Sequence, residues 1–186
     1  KQCTFDIVFK GWQTRHNLPT YENGGFTDLE TAHISLATWG IRINKVYHTV
    51  APTRGTENGN EWIELYNQTN STINIGGWKI CDNDSCDTIP NNTKIGGGKF
   101  AVITGNDLTF TYWPASSLVK RIVLGDGKIG SGLNDTDMLL LKRSDGTVVD
   151  AVNWGLPDVN WTNFSLDHVW NPGATSTSGN YMLARI

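Results

Sequence analysis

The fold is decided by residues 61–67, which read Glu-Trp-Ile-Glu-Leu-Tyr-Asn. Apolar and polar side chains nearly alternate along this stretch, which predicts a β-strand with one buried and one wetter face. Strict alternation cannot place Trp62, Ile63 and Leu65 on one face. We therefore expect Trp62 on the buried face, with either a β-bulge that returns Leu65 to that face or burial on both faces.

Similar alternation recurs on both sides of this stretch, in short runs separated by glycine, asparagine, aspartate or proline. Helical periodicity is nearly absent, and the turn at Ser144, Asp145 and Gly146 is typical of a hairpin. The sequence therefore predicts an all-β fold, a two-sheet β-sandwich. The predicted strands are residues 41–47, 61–67, 73–80 with a bend at 76–77, 88–90, 99–104, 119–124, 137–142, 147–152 and 181–186.

Residues 1–40 lack this regular pattern, so we expect an N-terminal extended arm of residues 1–40 followed by a sandwich domain of residues 41–186. Phe5, Ile7 and Phe9 alternate in a strand-like run with no hairpin partner nearby. Such a strand could pair with the edge of its own sandwich or insert into a neighbouring copy, which makes it a candidate assembly strand. Residues 28–36 fit a short helix or an extended segment equally well.

Composition favours a secreted protein that works outside the cell. Charged residues make up 18% of the chain, below the roughly 25% of an average domain, and uncharged polar residues take their place. The formal net charge of -3 makes nucleic acid an improbable partner. No run approaches the roughly 20 apolar residues that a membrane helix needs, and a start at Lys1 fits a chain whose signal peptide has been removed.

Two of the three cysteines, Cys81 and Cys86, lie close enough in the sequence to form a disulfide across a short loop. Cys3 then has no cysteine partner within the sequence. The same loop holds the densest cluster of oxygen ligands in the sequence, Asp82, Asp84 and Asp87. Calcium prefers such ligands, so a calcium site is one interpretation and a solvated turn is the other. No other cofactor is expected.

Asn-x-Ser/Thr sites occur about twice as often as chance would give, and six of them are taken as candidates for glycosylation. They support secretion without proving it. The asparagines are Asn67, Asn70, Asn91, Asn134, Asn160 and Asn163.

No pattern predicts catalysis. The four histidines have no metal-binding spacing and are interpreted as single surface or capping residues. Glu61 and Glu64 are expected to meet lysine or arginine on neighbouring strands, not to act as an acid and base pair. Of the eight tryptophans, Trp62 and Trp78 are expected in the core. Four others could form a sugar-stacking or protein-contact surface, or lie partly buried under loops, namely Trp113, Trp154, Trp161 and Trp170.

Several runs, in order and spacing, resemble the lamin tail domain, and more its bacterial and archaeal branch than the nuclear lamins. They are residues 43–47, 61–67, 75–80, 97–103 and 145–150, with residues 182–185 similar to the closing strand of the family. The resemblance implies an immunoglobulin-like sandwich. Domains of this type often accompany secreted hydrolases. Residues 25–40 more weakly resemble secreted fibre proteins of the camelysin and biofilm type.

Two functions from different classes follow. The first is a non-catalytic structural subunit of a cell-surface filament or layer, which self-associates through the N-terminal strand. The second is a binding module for carbohydrate, or less plausibly for nucleic acid, that accompanies a secreted enzyme. An unrecognised hydrolase site is the weakest interpretation.

Overall fold

The computed structural model describes residues 7–10, 29–32, 40–155 and 182–185. The chain divides into two compact units, Lys1–Thr38 and Trp39–Ile186. Each unit is described by itself.

In the first unit, strand β1 (Ile7–Lys10) pairs antiparallel with strand β2 (Leu29–Ala32), with Ile7 opposite Ala32. The expectation that the first strand is isolated is therefore wrong. Its partner follows a long connection, residues 11–28, and local alternation cannot reveal a pairing across such a distance. The undecided segment at 28–36 is extended over β2, and Phe5 lies outside the described residues.

The second unit consists mainly of short strands. They are β3 (Ile41–Tyr47), β4 (Trp62–Asn67), β5 (Ile73–Asn74), β6 (Lys79–Cys81), β7 (Cys86–Thr88), β8 (Lys94–Ile95), β9 (Phe100–Thr104), β10 (Lys120–Val123), β11 (Asp137–Lys142), β12 (Val148–Trp154) and β13 (Leu183–Ala184). A short 3-10 helix, Pro52–Arg54, follows β3, and a single helical turn, α1 (Thr109–Tyr112), follows β9.

These strands form two main sheets. The first sheet has the order β10-β9-β4-β3-β13, and the second has the order β12-β11-β6-β7. A small pair, β5 with β8, lies beside them, and β10 runs parallel to β9 while the other pairs are antiparallel. The predicted all-β, immunoglobulin-like sandwich is confirmed.

The core lies between the two sheets and is mostly aliphatic. One cluster joins fully buried side chains of the first sheet to those of the second, which is what face-to-face packing of two sheets requires. Its members include Ile43, Ile63, Leu65 and Ile103 from the first sheet, and Ile80, Leu139, Leu141 and Val152 from the second.

Strand β4 is buried on both of its faces, the second of the two expected solutions. Ile63 and Leu65 enter the core between the sheets, whereas Trp62 belongs to a separate cluster with Tyr47 and Val50. The expectation that Trp62 and Leu65 share a face is therefore wrong. The bulge lies on the neighbouring strand β3, between Ile43 and Lys45, so β4 itself keeps a regular alternation.

A buried carboxylate connects the second sheet to the edge of the first. Asp150 of β12 is fully buried and accepts the backbone N–H of Ile43 at 2.8 Å. Both of its oxygens also accept from the Arg185 guanidinium, at 2.9 and 3.0 Å, and Arg42 lies 3.6 Å away. Arg185 in turn donates to the Ile43 carbonyl. The bulge in β3 and the closing strand β13 are thus held by one charged cluster.

Candidate functional site

The outer face of the first sheet, the face turned away from the second sheet, is rich in aromatic side chains. Alternation along β4 directs Trp62, Glu64 and Tyr66 to this face. Trp62 lies opposite Tyr47 on β3, and Tyr66 lies opposite Phe100 on β9. The Tyr66 and Phe100 rings stack with centroids 4.7 Å apart.

Three rings form a compact cluster on this face. Trp62 stacks on Tyr47 with ring centroids 5.8 Å apart, and Trp113 meets both rings edge-on at 5.5 and 5.1 Å. The Tyr47 hydroxyl accepts the backbone N–H of Ala51 at 2.9 Å, which fixes that ring. Since Tyr47 and Trp62 are buried, the cluster has little freedom to rearrange.

The segment from α1 to β10 folds over the outer face and is fixed at two points by arginines. Arg54 lies over the Trp113 ring at 4.7 Å and donates to the Tyr112 carbonyl at 2.7 Å. Arg121 lies over the Phe110 ring at 4.8 Å and donates to the Ala115 carbonyl at 3.2 Å. Each arginine thus combines a cation–π contact with a hydrogen bond to the backbone of the segment.

Between this segment and the sheet lies a cavity of about 420 Å³, which we call the aromatic groove. Its walls combine aromatic rings with a few charged and hydroxyl groups, the composition typical of small-molecule sites. The indole N–H groups of Trp62 and Trp113 meet no acceptor within the described part of the chain. The groove is lined principally by Arg54, Trp62, Glu64, Val102, Thr109, Phe110, Tyr112, Trp113 and Ser116.

Glu64 meets a cross-strand cation, as predicted. Its Oε1 accepts from the Lys45 ammonium at 3.0 Å and from the Asn44 amide at 2.7 Å, so a carboxylate stands at the edge of the groove in a fixed position.

Glu61 differs from Glu64, because it pairs with no lysine or arginine of the described residues. The expectation that it would meet such a cation is therefore wrong. Its side chain is fully buried, and its Oε2 accepts the Leu133 backbone N–H at 3.0 Å. Burial raises the pKa of Glu61 to about 8, and the nearby Glu57 and Asp137 carboxylates add to the effect. Glu61 is absent from the lining of the aromatic groove.

The Cys81–Cys86 disulfide is confirmed, and it joins β6 to β7. Asp82, within the loop it closes, accepts the backbone N–H groups of Asp84 and Ser85 with one oxygen, and the Ser131 backbone N–H and hydroxyl with the other. All four lone-pair positions of the carboxylate are therefore occupied.

The geometry gives the calcium interpretation no support. Asp87 accepts the Gly130 backbone N–H, so this carboxylate, like that of Asp82, holds the loop of residues 129–132. Burial raises the pKa of Asp87, and the nearby Asp126 and Asp82 carboxylates add to the effect. Within the described ranges, no three acidic, histidine or cysteine side chains are arranged to hold a metal ion.

His48 is fully buried, so its interpretation as a surface residue is wrong. Its ring stacks on Trp154 with centroids 5.0 Å apart, and its Nδ1 lies 2.8 Å from the Thr49 hydroxyl. Burial lowers the pKa of His48. The other histidines, His16, His33 and His168, lie outside the described residues.

The predicted glycosylation sites differ in accessibility. Asn67 is fully buried, and its amide nitrogen donates to the carbonyls of Ser71, Ile95 and Gly96, so a glycan cannot be attached there without breaking the fold. This candidate is wrong, because sequence spacing says nothing of burial. Asn70, Asn91 and Asn134 are exposed and remain candidates, and Asn160 and Asn163 lie outside the described residues.

Of the loop tryptophans that lie within the described residues, Trp113 takes part in the groove and Trp154 does not. Trp154 is fully buried in the core, its indole donating to the Asn134 carbonyl at 2.7 Å, and Trp161 and Trp170 lie outside the described residues. Trp78 is partly buried against the core, with Arg143 over its ring.

Sequence reasoning missed most of the groove, because residues 105–118 were assigned to no element. The signal was three aromatic residues within four positions, Phe110, Tyr112 and Trp113, in a stretch without strand alternation.

No helix in the described part of the chain combines the length and apolarity that a membrane span requires. No curated protein matches the chain. The family model of the lamin tail domain matches residues 35–156, well over half of the sequence, and this match agrees with the observed sandwich. The chain therefore belongs to the lamin tail domain family.

Proposed function

We propose that this protein is a non-catalytic extracellular binding module that takes a carbohydrate chain in the aromatic groove. The observation that carries the proposal is the fixed cluster of Tyr47, Trp62 and Trp113 beside a cavity of sugar-sized volume. Sugar rings have apolar faces formed by C–H groups and edges formed by hydroxyls. A groove with aromatic walls and a few polar groups complements both.

The polar groups of the groove support this choice of ligand. Glu64 is held by Lys45 and accepts hydrogen bonds, whereas Arg54 is held over Trp113 and donates them. A ligand with many hydroxyl groups can satisfy donors and acceptors of both kinds.

An extracellular location agrees with two further features. The Cys81–Cys86 disulfide is of a kind that persists in oxidising compartments. Asn70, Asn91 and Asn134 offer exposed glycosylation sites. The proposal assigns no reaction to the domain, since Glu61 is enclosed away from the groove and Glu64 is held in an ion pair.

The test is affinity electrophoresis of the full chain in gels that contain neutral polysaccharides, such as xylan, galactomannan or hydroxyethyl cellulose. We expect at least one of them to retard the protein. Tyr112→Ala, which removes a half-buried ring from the groove wall, should weaken binding about tenfold or more, the loss of a principal contact.

Tyr66→Ala is the matched control. Tyr66 is a half-buried tyrosine on the same outer face but does not line the aromatic groove. Circular dichroism would establish that both variants are folded. Failure of every neutral polysaccharide to retard the protein, or an equal loss in both variants, would contradict the proposal.

Self-assembly is the second candidate. Within the described residues β1 pairs with β2 alone, and a two-stranded sheet is marginally stable without a further strand. A neighbouring copy could supply that strand. Removal of residues 1–38 should then abolish assemblies seen by electron microscopy and leave the sandwich folded. Filaments that persist in the shortened protein, or a full chain that sediments as a monomer at high concentration, would count against it.

A further inference from the structure

We propose that a second groove, beside the aromatic groove, is a site for an acidic polysaccharide that carries carboxylate or sulfate groups. This basic groove is a cavity of about 420 Å³. Its principal lining residues are Lys94, Lys99, Phe100, Leu118, Lys120 and Arg121.

The fold gathers these cations from three separate places. Lys94 lies on β8, and Lys99 follows a turn in which Gly98 has a φ of 64°. A side chain on Gly97 would meet the Asn70 backbone at 2.4 Å, so the turn needs glycine there. Strand β10 lies parallel to β9 with Lys120 opposite Ala101, which brings the third lysine to the same edge of the sheet.

The local charge contrasts with that of the whole chain. The chain has 15 lysines and arginines against 18 acidic residues, yet no acidic residue lines the basic groove. In the described part of the chain, Lys94, Lys99 and Lys120 make no ion pair. Several cations in one concave site repel each other and raise the local concentration of anions. An anionic ligand relieves that repulsion.

Arg121 is held in a fixed position in the lining of the basic groove. Its guanidinium lies over the Phe110 ring and donates to the Ala115 carbonyl, so its position is set by the segment that also borders the aromatic groove. The three lysines are exposed, and their flexible ammonium groups can follow charges at varied spacing. Such a site suits a repeating polymer more than one rigid anion.

Two exposed apolar side chains of the basic groove indicate that the ligand carries sugar rings as well as charges. Leu118 is 71% exposed, and Phe100 is 36% exposed with its ring stacked on Tyr66. They offer apolar surface to a sugar ring, while the lysines meet its charged substituents. Val119 lines both grooves, so the basic groove borders the aromatic groove directly. Single-stranded nucleic acid shares this chemistry, but the net charge of -3 and the disulfide favour a glycan.

The experiment measures binding of the full chain to four soluble probes by titration at several salt concentrations. The probes are polygalacturonate, dextran sulfate, uncharged dextran and a twenty-residue oligothymidylate. We expect one of the two acidic polysaccharides to bind, which identifies carboxylate or sulfate as the recognised group. Replacement of Lys94, Lys99 and Lys120 by glutamine should weaken that binding at least tenfold and flatten its salt dependence.

The matched control replaces three lysines outside the groove, Lys79, Lys128 and Lys142, by glutamine, which gives the same net charge. It should bind almost as the unaltered protein does. Equal losses in the two triple variants, no binding of either acidic polysaccharide, or tighter binding of the oligothymidylate would overturn the proposal. Tyr112→Ala with a neutral polysaccharide reports on the aromatic groove, so the two sites can fail separately.

Discussion

The two faces of the first sheet are made by the same strands and differ in almost every physical respect. The inner face carries aliphatic side chains such as Ile63, Leu65 and Ile103, all fully buried. The outer face carries rings and charges, including Trp62 and Glu64, beside two grooves. Alternation along a strand thus separates two tasks. One face stabilises the sandwich, and the other can vary to suit a ligand.

Glu64 of β4 and Glu61, which directly precedes that strand, show the difference most directly. Glu61 lies toward the inner side, bonded to the Leu133 backbone, and its pKa is raised to about 8. Glu64 lies on the outer face, in an ion pair with Lys45. The same side chain is thus enclosed without a cation in one case and placed at the edge of a groove in the other. The predictions below test this division of tasks.

The largest loss of stability is expected from the charged cluster that holds the edge of β3. Asp150→Ala removes the acceptor of the Ile43 N–H and the carboxylate bound by Arg185. Breaking a buried pair in this way should lower the free energy of unfolding by about 3–5 kcal/mol. Urea denaturation followed by tryptophan fluorescence measures the change.

Asp150→Asn is the control, since its amide oxygen can still accept from Ile43 although the charge is gone. We expect a smaller loss than for Asp150→Ala. If Asp150→Ala unfolds at the same urea concentration as the unaltered protein, the cluster does not stabilise the edge of the sheet.

A smaller effect is expected from aliphatic truncation, and it should depend on the face. Leu65→Ala empties fully buried volume on the inner face and should cost about 3 kcal/mol. Val102→Ala, on the neighbouring strand but half-buried on the outer face, should cost roughly 1 kcal/mol. Denaturation curves of the two variants compare the faces, and equal costs would refute the assignment of stability to the inner face.

The sequence allowed most of the strands and the Cys81–Cys86 disulfide to be predicted because both depend on local features. The single bent strand predicted at residues 73–80 is wrong, since β5 and β6 belong to different sheets and β8, the partner of β5, was not predicted. Strand alternation needs only neighbouring residues, and the two cysteines lie five positions apart. The contact of Glu64 with a cation of a neighbouring strand also followed from cross-strand pairing, but its partner, Lys45, was not predicted.

The remaining features depend on residues far apart in the chain, which local patterns do not connect. Glu61 is enclosed by Leu133, and Asn67 is buried by the loops near Ile95. The basic groove gathers Lys94 and Lys120, which appear scattered in the sequence. The environment of each of these side chains can be described only once the tertiary structure is known.

A change in pH dependence, smaller than the losses expected from Asp150→Ala and Leu65→Ala, should isolate Glu61. Its folded pKa of about 8 lies above the ordinary value of 4.5, so folding favours the protonated carboxyl. This contribution to stability is complete below about pH 4.5 and is lost as the pH rises through 8. Between pH 6.5 and 8 it should fall by about 1.5 kcal/mol, at 1.36 kcal/mol per pKa unit.

Glu61→Gln cannot ionise and should remove this part of the decline, which urea denaturation at a series of pH values would show. Glu64→Gln makes the same chemical change on the outer face. Groups common to all variants, His48 among them, cancel in the comparison. Should Glu64→Gln flatten the curve as much as Glu61→Gln, the pH dependence would not come from the inner side of the sheet. The contrast between the two glutamates would then be lost.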